Sequence, residues 1–388
     1  MERRNRDEKG QTLVIFVFAI VGLLAMVGLA VDGGTVFLER RRMQNAADAA
    51  ALAGTRELAE LMCDESVSAE HGDQRILAEV RNYAQKNGVA DPASNAVAEY
   101  MRFDGDDVVP FSPGVLVGNS LSGGQGIPDG AAGISATMKI ERSTHLVRLI
   151  GIPTAGATAP AIAVTGPLAA GGGLRPFGVP IELVEDLDPD DPDNNTFSIS
   201  FKNDGGEIIW AGNIAQHRGW MNLGYVWNQG ENDTFGRAVD DSTDANQLKE
   251  WMENGWQGTL YADCLWAAPT ECGWGDYVHA KPGTNSSAIC KAPGYPVEII
   301  IPVYDYIPDC PEEPIPDPKP GCPTQGGGYC YHIVGFAGTR ITGCSQGGGE
   351  IEAELARLIM GQGVPSPNDG YGHGVCERTA LTTVTLWR

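Results

Sequence analysis

Thr12 to Val31 is a run of twenty residues without a charge, TLVIFVFAIVGLLAMVGLAV. As a helix rising 1.5 Å per residue it is about 30 Å long, the thickness of the hydrocarbon core of a bilayer. Thirteen of its residues are Leu, Val, Ile or Phe. At roughly −0.3 to −0.6 kcal/mol each, they favour insertion by several kcal/mol. A cleaved signal peptide has a shorter apolar region, usually about 7–15 residues, and ends at a small-x-small site. This run is longer, and no clear A-x-A follows it. The expectation is a retained transmembrane anchor that includes Thr12, Leu13, Leu23, Leu24 and Val31.

Charge gives the anchor a weak orientation. Arg3, Arg4, Arg6 and Lys9 precede the span, and Arg40, Arg41 and Arg42 follow it. That favours a cytoplasmic N-terminus only slightly. The cysteines weigh more. Cys63 is alone, while Cys264, Cys272, Cys290, Cys310, Cys322, Cys330, Cys344 and Cys376 all lie in the last third. An even set in a Gly- and Pro-rich region reads as a disulfide framework, which persists in an oxidising compartment. No CxxC pair points to zinc. The pairing expected from sequence proximity is Cys264–Cys272, Cys322–Cys330, Cys344–Cys376 and, by remainder, Cys290–Cys310. The reading is a single-pass protein of the cytoplasmic membrane with its C-terminal ectodomain outside.

The chain carries 27 Lys and Arg against 50 Asp and Glu, a net charge of −23, all of it from beyond residue 50. So acidic a surface is a poor fit to nucleic acid, where phosphate contacts need clustered cations. Asp186, Asp188 and Asp190, with Asp191 and Asp193, crowd one loop in the pattern LVEDLDPDDPD. Calcium takes several carboxylate oxygens from such loops, but the Gly and Glu of an EF-hand are missing. A solvated acidic loop and a weak calcium site both remain open, and no other cofactor is expected. Asp240 to Asp244 resembles the D-x-S-x-S motif of von Willebrand A domains, but ends in Asp and follows no apolar parallel strand. No HExxH, G-x-S-x-G, P-loop or Rossmann fingerprint is present, and no catalytic residue is assigned.

After Asp32-Gly33-Gly34 comes TVFLERRRMQNAADAAALAGTRELAELM, rich in good helix formers. Val36, Met43, Ala47, Ala50 and Gly54 fall at helical spacing, and small residues dominate. Small side chains let another element approach closely. That element is either the protein's own domain or another subunit, and Gly33-Gly34 is a candidate kink. The string from Lys9-Gly10-Gln11 through the apolar span to AVDGGTVFLERRRMQNAADAAALAG resembles the N-terminal segment of TadG-like Flp (tight-adherence) pilus-assembly proteins. Gly10, Gln11, Asp32, Gln44, Asn45 and Asp48 carry the resemblance. It implies a bacterial, single-span, non-enzymatic component of the cell envelope that works with other pilus-assembly membrane proteins and pseudopilins. Pilin precursors of that system are cut at a Gly followed five residues later by Glu. Gly10 fits, but Ile15 stands where the Glu belongs, which favours an assembly protein over a major pilin.

Beyond the anchor, Asp73 to Asn87 reads as a helix capped by Asp73 and stopped at Gly88. Gly133 to Ile140 and Thr158 to Thr165 read as strands, with a short helix between them capped by Thr144. This stretch resembles the ectodomain of TadE/TadG-type proteins. Gly166 to Gly173, GPLAAGGG, reads as a linker. Trp210 to Trp256 carries five of the eight tryptophans, and Asn246 to Met252 reads as a short helix. PVEIIIPVYDYI, YCYHIVGFAGTRITG and TALTTVTLW have strand composition. The expected fold class is α+β in three parts: an anchor and Ala-rich helix over 1–62, a small α/β ectodomain over 63–166, and a β-rich, disulfide-tied domain over 167–388. A surface adhesin or carbohydrate-binding protein sharing the anchor is the alternative function, and an envelope hydrolase a third.

Overall fold

The computed structural model describes residues 8–62, 64, 66–105, 107–185, 187–189, 191–200, 221–227, 237–238, 245–262, 277–280, 294–307, 330–345, 350–361, 363–365 and 381–387. It is a mixed α+β protein, with a long apolar helix at its N-terminal end and a β-rich C-terminal region.

Helix α1 spans Glu8–Leu61, 54 residues, and continues through Gly33 and Gly34. Its two halves have different surroundings. From Leu13, 67% exposed, to Val31 the large apolar side chains face outward. This half is long and apolar enough to cross a membrane. From Met43 onward the helix turns a buried face to the protein: Met43, Ala46, Ala47, Ala50, Ala51, Leu58 and Leu61.

The partner of that face is a sheet built to receive it. Strand β1 is Ala96–Asp104, β2 is Asp107–Pro110, β3 is Gly133–Ser143 and β4 is Thr154–Gly171. In β3 every second residue is buried: Ile134, Ala136, Met138 and Ile140. Their cross-strand partners in β4 are Ala163, Ala161, Ala159 and Ala157, all buried too. Alternation with period two puts these eight side chains on one face. Alanine on the strand meets alanine on the helix, so the two backbones approach closely. The small-residue stripe of α1 thus packs on the protein's own sheet. Helix α2, Ala69–Lys86, packs beside α1 in the same core with Ile76, Leu77, Val80 and Ala84.

Ser68 caps α2 by accepting the His71 N–H. The helix therefore begins four residues before the sequence reading placed it, and Asp73 lies inside it. Lys86 ends it, followed by Gly88 at φ 87°. At Gly88 a Cβ would collide with the Arg42 guanidinium. Thr144 caps no helix either. Only a short 3-10 turn, Val147–Ile150, follows it.

The first sheet runs in the order Leu358–Met360, Leu381–Trp387, β4, β3, β1, β2. The Leu381–Trp387 strand pairs antiparallel with β4, from Thr382 opposite Pro167 to Trp387 opposite Ile162. β4 continues as strand through Gly166 to Gly171, where a linker was expected. A second sheet centres on Val297–Ile307 and Cys330–Ser345, paired antiparallel. Ile299, Ile301 and Val303 face its core beside Val334, Ala337 and Ile341. The expected helix near Trp251 is present as Ala245–Asn254, and Arg175 donates from Nη1 to the Trp251 carbonyl near its C-terminal end.

Candidate functional site

Four ties fasten α1 to the β3–β4 hairpin, and they mark the part of the chain with the most specific geometry. The lowest is Asp32. Its side chain sits at the first turn beyond the apolar run and is buried. Oδ1 accepts the His145 N–H at 2.8 Å. Oδ2 accepts the N–H groups of Leu146 at 2.8 Å and Val147 at 2.7 Å. These amides open the 3-10 turn at the hairpin tip, where backbone donors have no partner within the turn. A carboxylate from a distant helix thus caps them. Hydrogen bonds from Val147, and then His145, hold the Asp32 carboxyl below its ordinary range, against the opposing effect of burial.

Moving up the helix, Glu39 Oε1 lies 3.2 Å from Arg142 Nε on β3. Gln44 donates from Nε2 to the Pro160 carbonyl at 3.2 Å and to Asp48 Oδ1 at 2.9 Å. Thr55, fully buried, donates from Oγ1 to the Ala163 carbonyl at 3.2 Å. A cleft of about 290 Å³ opens between α1 and the hairpin, lined by Thr35, Glu39, Arg142, Ser143 and His145.

The far end of the same unit is fixed by a second buried carboxylate. Asp73 accepts from Tyr100 Oη at 2.8 Å, the Gly118 N–H at 2.6 Å, the Ser120 N–H at 2.9 Å and Ser120 Oγ at 2.6 Å. One side chain joins α2, β1 and the loop before β3. Nearby, Glu57 on α1 pairs with Arg75 on α2 at 2.6 Å. Burial pushes the Glu57 carboxyl above its ordinary range, with Arg75 opposing.

The family model described as putative Flp pilus-assembly TadE/G-like matches residues 10–57. We call the matched stretch the Tad segment. It coincides with α1 from its first turn almost to its end, so the expected resemblance holds over the helix that carries all four ties. No curated protein and no solved structure matches the chain.

Within the Tad segment, Leu13, Leu23, Leu24 and Val31 are exposed on the apolar half of α1, as is Thr12. Gly10 and Gln11 lie on its first turns. Asp32 and Gln44 make the cross-element bonds above, Asp48 receives Gln44, and Asn45 is exposed. Of the cysteines, Cys63, Cys264, Cys272, Cys290, Cys310, Cys322 and Cys376 lie outside the described residues. Cys330 begins its strand, and Cys344, near the end of the same strand, is partly buried against the core of the second sheet. Asp186, Asp190 and the 240–244 motif also lie outside, whereas Asp188 is described. Among the described residues no group of three His, Cys, Asp or Glu is placed to hold a metal ion.

Sequence reasoning missed Asp73 as a junction and gave Asp32 no partner. Both are carboxylates whose ligands come from distant segments, so no local pattern announces them. A carboxylate directly after an apolar span was the one available signal for Asp32.

Proposed function

We propose that this protein is a membrane-anchored, non-enzymatic component of Flp/Tad-type pilus assembly, with its N-terminus in the cytoplasm and its acidic ectodomain outside. The observation that carries the reading is the Tad segment itself, whose exposed apolar half and buried Ala-rich half are one continuous helix. Such a helix transmits position rigidly from the bilayer to the ectodomain. The four ties at its base fix the ectodomain's tilt over the membrane. The partners would be other membrane proteins of the assembly machine and pseudopilins. The cysteine framework belongs to this proposal. Disulfides among the C-terminal cysteines belong with an oxidising compartment, which is why the framework and the orientation stand together in this reading.

Deleting the coding sequence from its host is expected to abolish surface pili, with restoration by the full chain but not by a chain lacking residues 12–31. Normal pili in the deletion strain would overturn the reading.

A further inference from the structure

The β3–β4 hairpin does not stop at the end of the apolar run of α1; it reaches past it. A methyl group placed on Gly28 would lie 3.0 Å from Leu146 Cβ and 3.6 Å from Leu146 Cδ1. Gly28 precedes Asp32 by one helical turn, about 6 Å along the axis. Leu146 therefore sits on the bilayer side of Asp32, level with the apolar span.

The tip exposes apolar side chains beside the polar His145 and Arg148. Leu146 is 40% exposed and Ile152 49%, with Gly151 and Pro153 also exposed. Arg148, exposed on the same turn, has the length to carry its charge back toward headgroups.

Its backbone is equally suited to a poorly hydrated place. Asp32 takes the N–H groups of His145, Leu146 and Val147. The Thr144 N–H donates to the Pro153 carbonyl, Gly151 to Arg148 and Ile152 to Val147. Thr144 Oγ1 donates to the Ile152 carbonyl. Backbone groups deprived of water need internal partners of this kind.

The geometry points to a second membrane contact: the hairpin tip, residues 144–153, seats in the bilayer interface beside the anchor, with Leu146 and Ile152 at the acyl-chain boundary. The occupant of this apolar patch is lipid, because the patch is continuous with the lipid-facing surface of α1. The inference rests on the anchor reading of α1. It adds that the ectodomain stands on two points instead of one.

The test uses the full chain in phosphatidylcholine vesicles whose acyl chains carry bromine, a short-range quencher. An environment-sensitive fluorescent amino acid replaces Ile152, Leu24 or Leu121 singly. Leu24 reports the anchor. Leu121, exposed beside the Asp73 junction at the opposite end of the ectodomain, reports water. The expected result is quenching at Ile152 by bromine near the headgroup end of the chain, at Leu24 by deep bromine, and none at Leu121. Quenching at Leu24 with none at Ile152 would sink the inference and leave the anchor standing. No quenching at either position would sink both. Shielding of Ile152 that follows protein concentration and not bromine would assign the patch to a second copy of the chain, and would likewise overturn the lipid assignment.

Discussion

Asp32, in the middle of a 54-residue helix, accepts the backbone N–H of His145 across 113 residues of sequence at 2.8 Å. The bond and its two neighbours lock the hairpin tip to the first turn beyond the apolar span. Asp32→Ala should free the amides of His145, Leu146 and Val147. Hydrogen exchange at those three positions is expected to rise well above that of the parent, while the protein stays in the membrane fraction. Unchanged exchange would show that the tip holds itself.

Acidity acts on Asp32 and Glu57 in opposite senses. Asp32 has a depressed folded value, so its stabilisation is complete above the ordinary carboxylate range and is lost as pH falls through that folded value. Glu57 has a raised folded value, so its charge costs stability at neutral pH. That cost disappears as pH falls through the raised value toward the ordinary one. The urea midpoint of the full chain in detergent should therefore rise on mild acidification and fall on stronger acidification. In Glu57→Gln the initial rise should be absent, and in Asp32→Asn the later fall should be reduced. A monotonic profile in the parent would contradict both assignments.

Removing the Asp73 carboxylate leaves Tyr100 Oη and the amides of Gly118 and Ser120 without their acceptor. Asp73→Ala is expected to cost about 3 kcal/mol, as for other buried charged hydrogen-bond partners. Tyr100→Phe removes one donor and should cost only about 1 kcal/mol. Denaturant unfolding of both variants checks the ratio.

At Gly54 a Cβ would fall 2.6 Å from Val80 Cγ2, so α1 and α2 tolerate no side chain at that crossing. Gly54→Ala should destabilise by about 1–3 kcal/mol through overpacking, despite the better helix propensity of alanine. Pairing it with Val80→Ala should recover part of that loss, which the same unfolding measurement would show.

Replacing Leu23 and Leu24 with Arg adds roughly 5–7 kcal/mol of insertion cost at the middle of the span. The doubly substituted chain is expected to leave the carbonate-resistant membrane fraction. Its retention there would mean that α1 is not the anchor.

What was legible in the sequence followed from periodicity. β3 buries every second residue from Ile134 to Ile140, and the apolar run of α1 stands out by length alone. The strands at Val297, Cys330 and Leu381 were visible as β-branched and aromatic runs. The junctions were not legible. Asp73 looked like a helix cap because a cap and a buried mid-helix acceptor present the same residue type. GPLAAGGG looked like a linker because glycine and proline usually break strands. Yet Pro167 falls just beyond Val164, where β3 has run out, so its missing N–H removes no bond to that neighbour. The Leu381–Trp387 strand holds that stretch extended, a pairing that no local pattern encodes.

That pairing sets an order of events. A chain made from its N-terminus presents α1, β1, β3 and β4 long before Leu381–Trp387 exists. Until then β4 has an open edge, the kind of surface that recruits unwanted strands. The membrane-proximal sheet is thus finished by the last strand of the described structure, after everything between has been delivered. Completion of this sheet thereby reports that the segments between β4 and Leu381 have been made, so a chain stalled or clipped among them would carry an unfinished sheet edge.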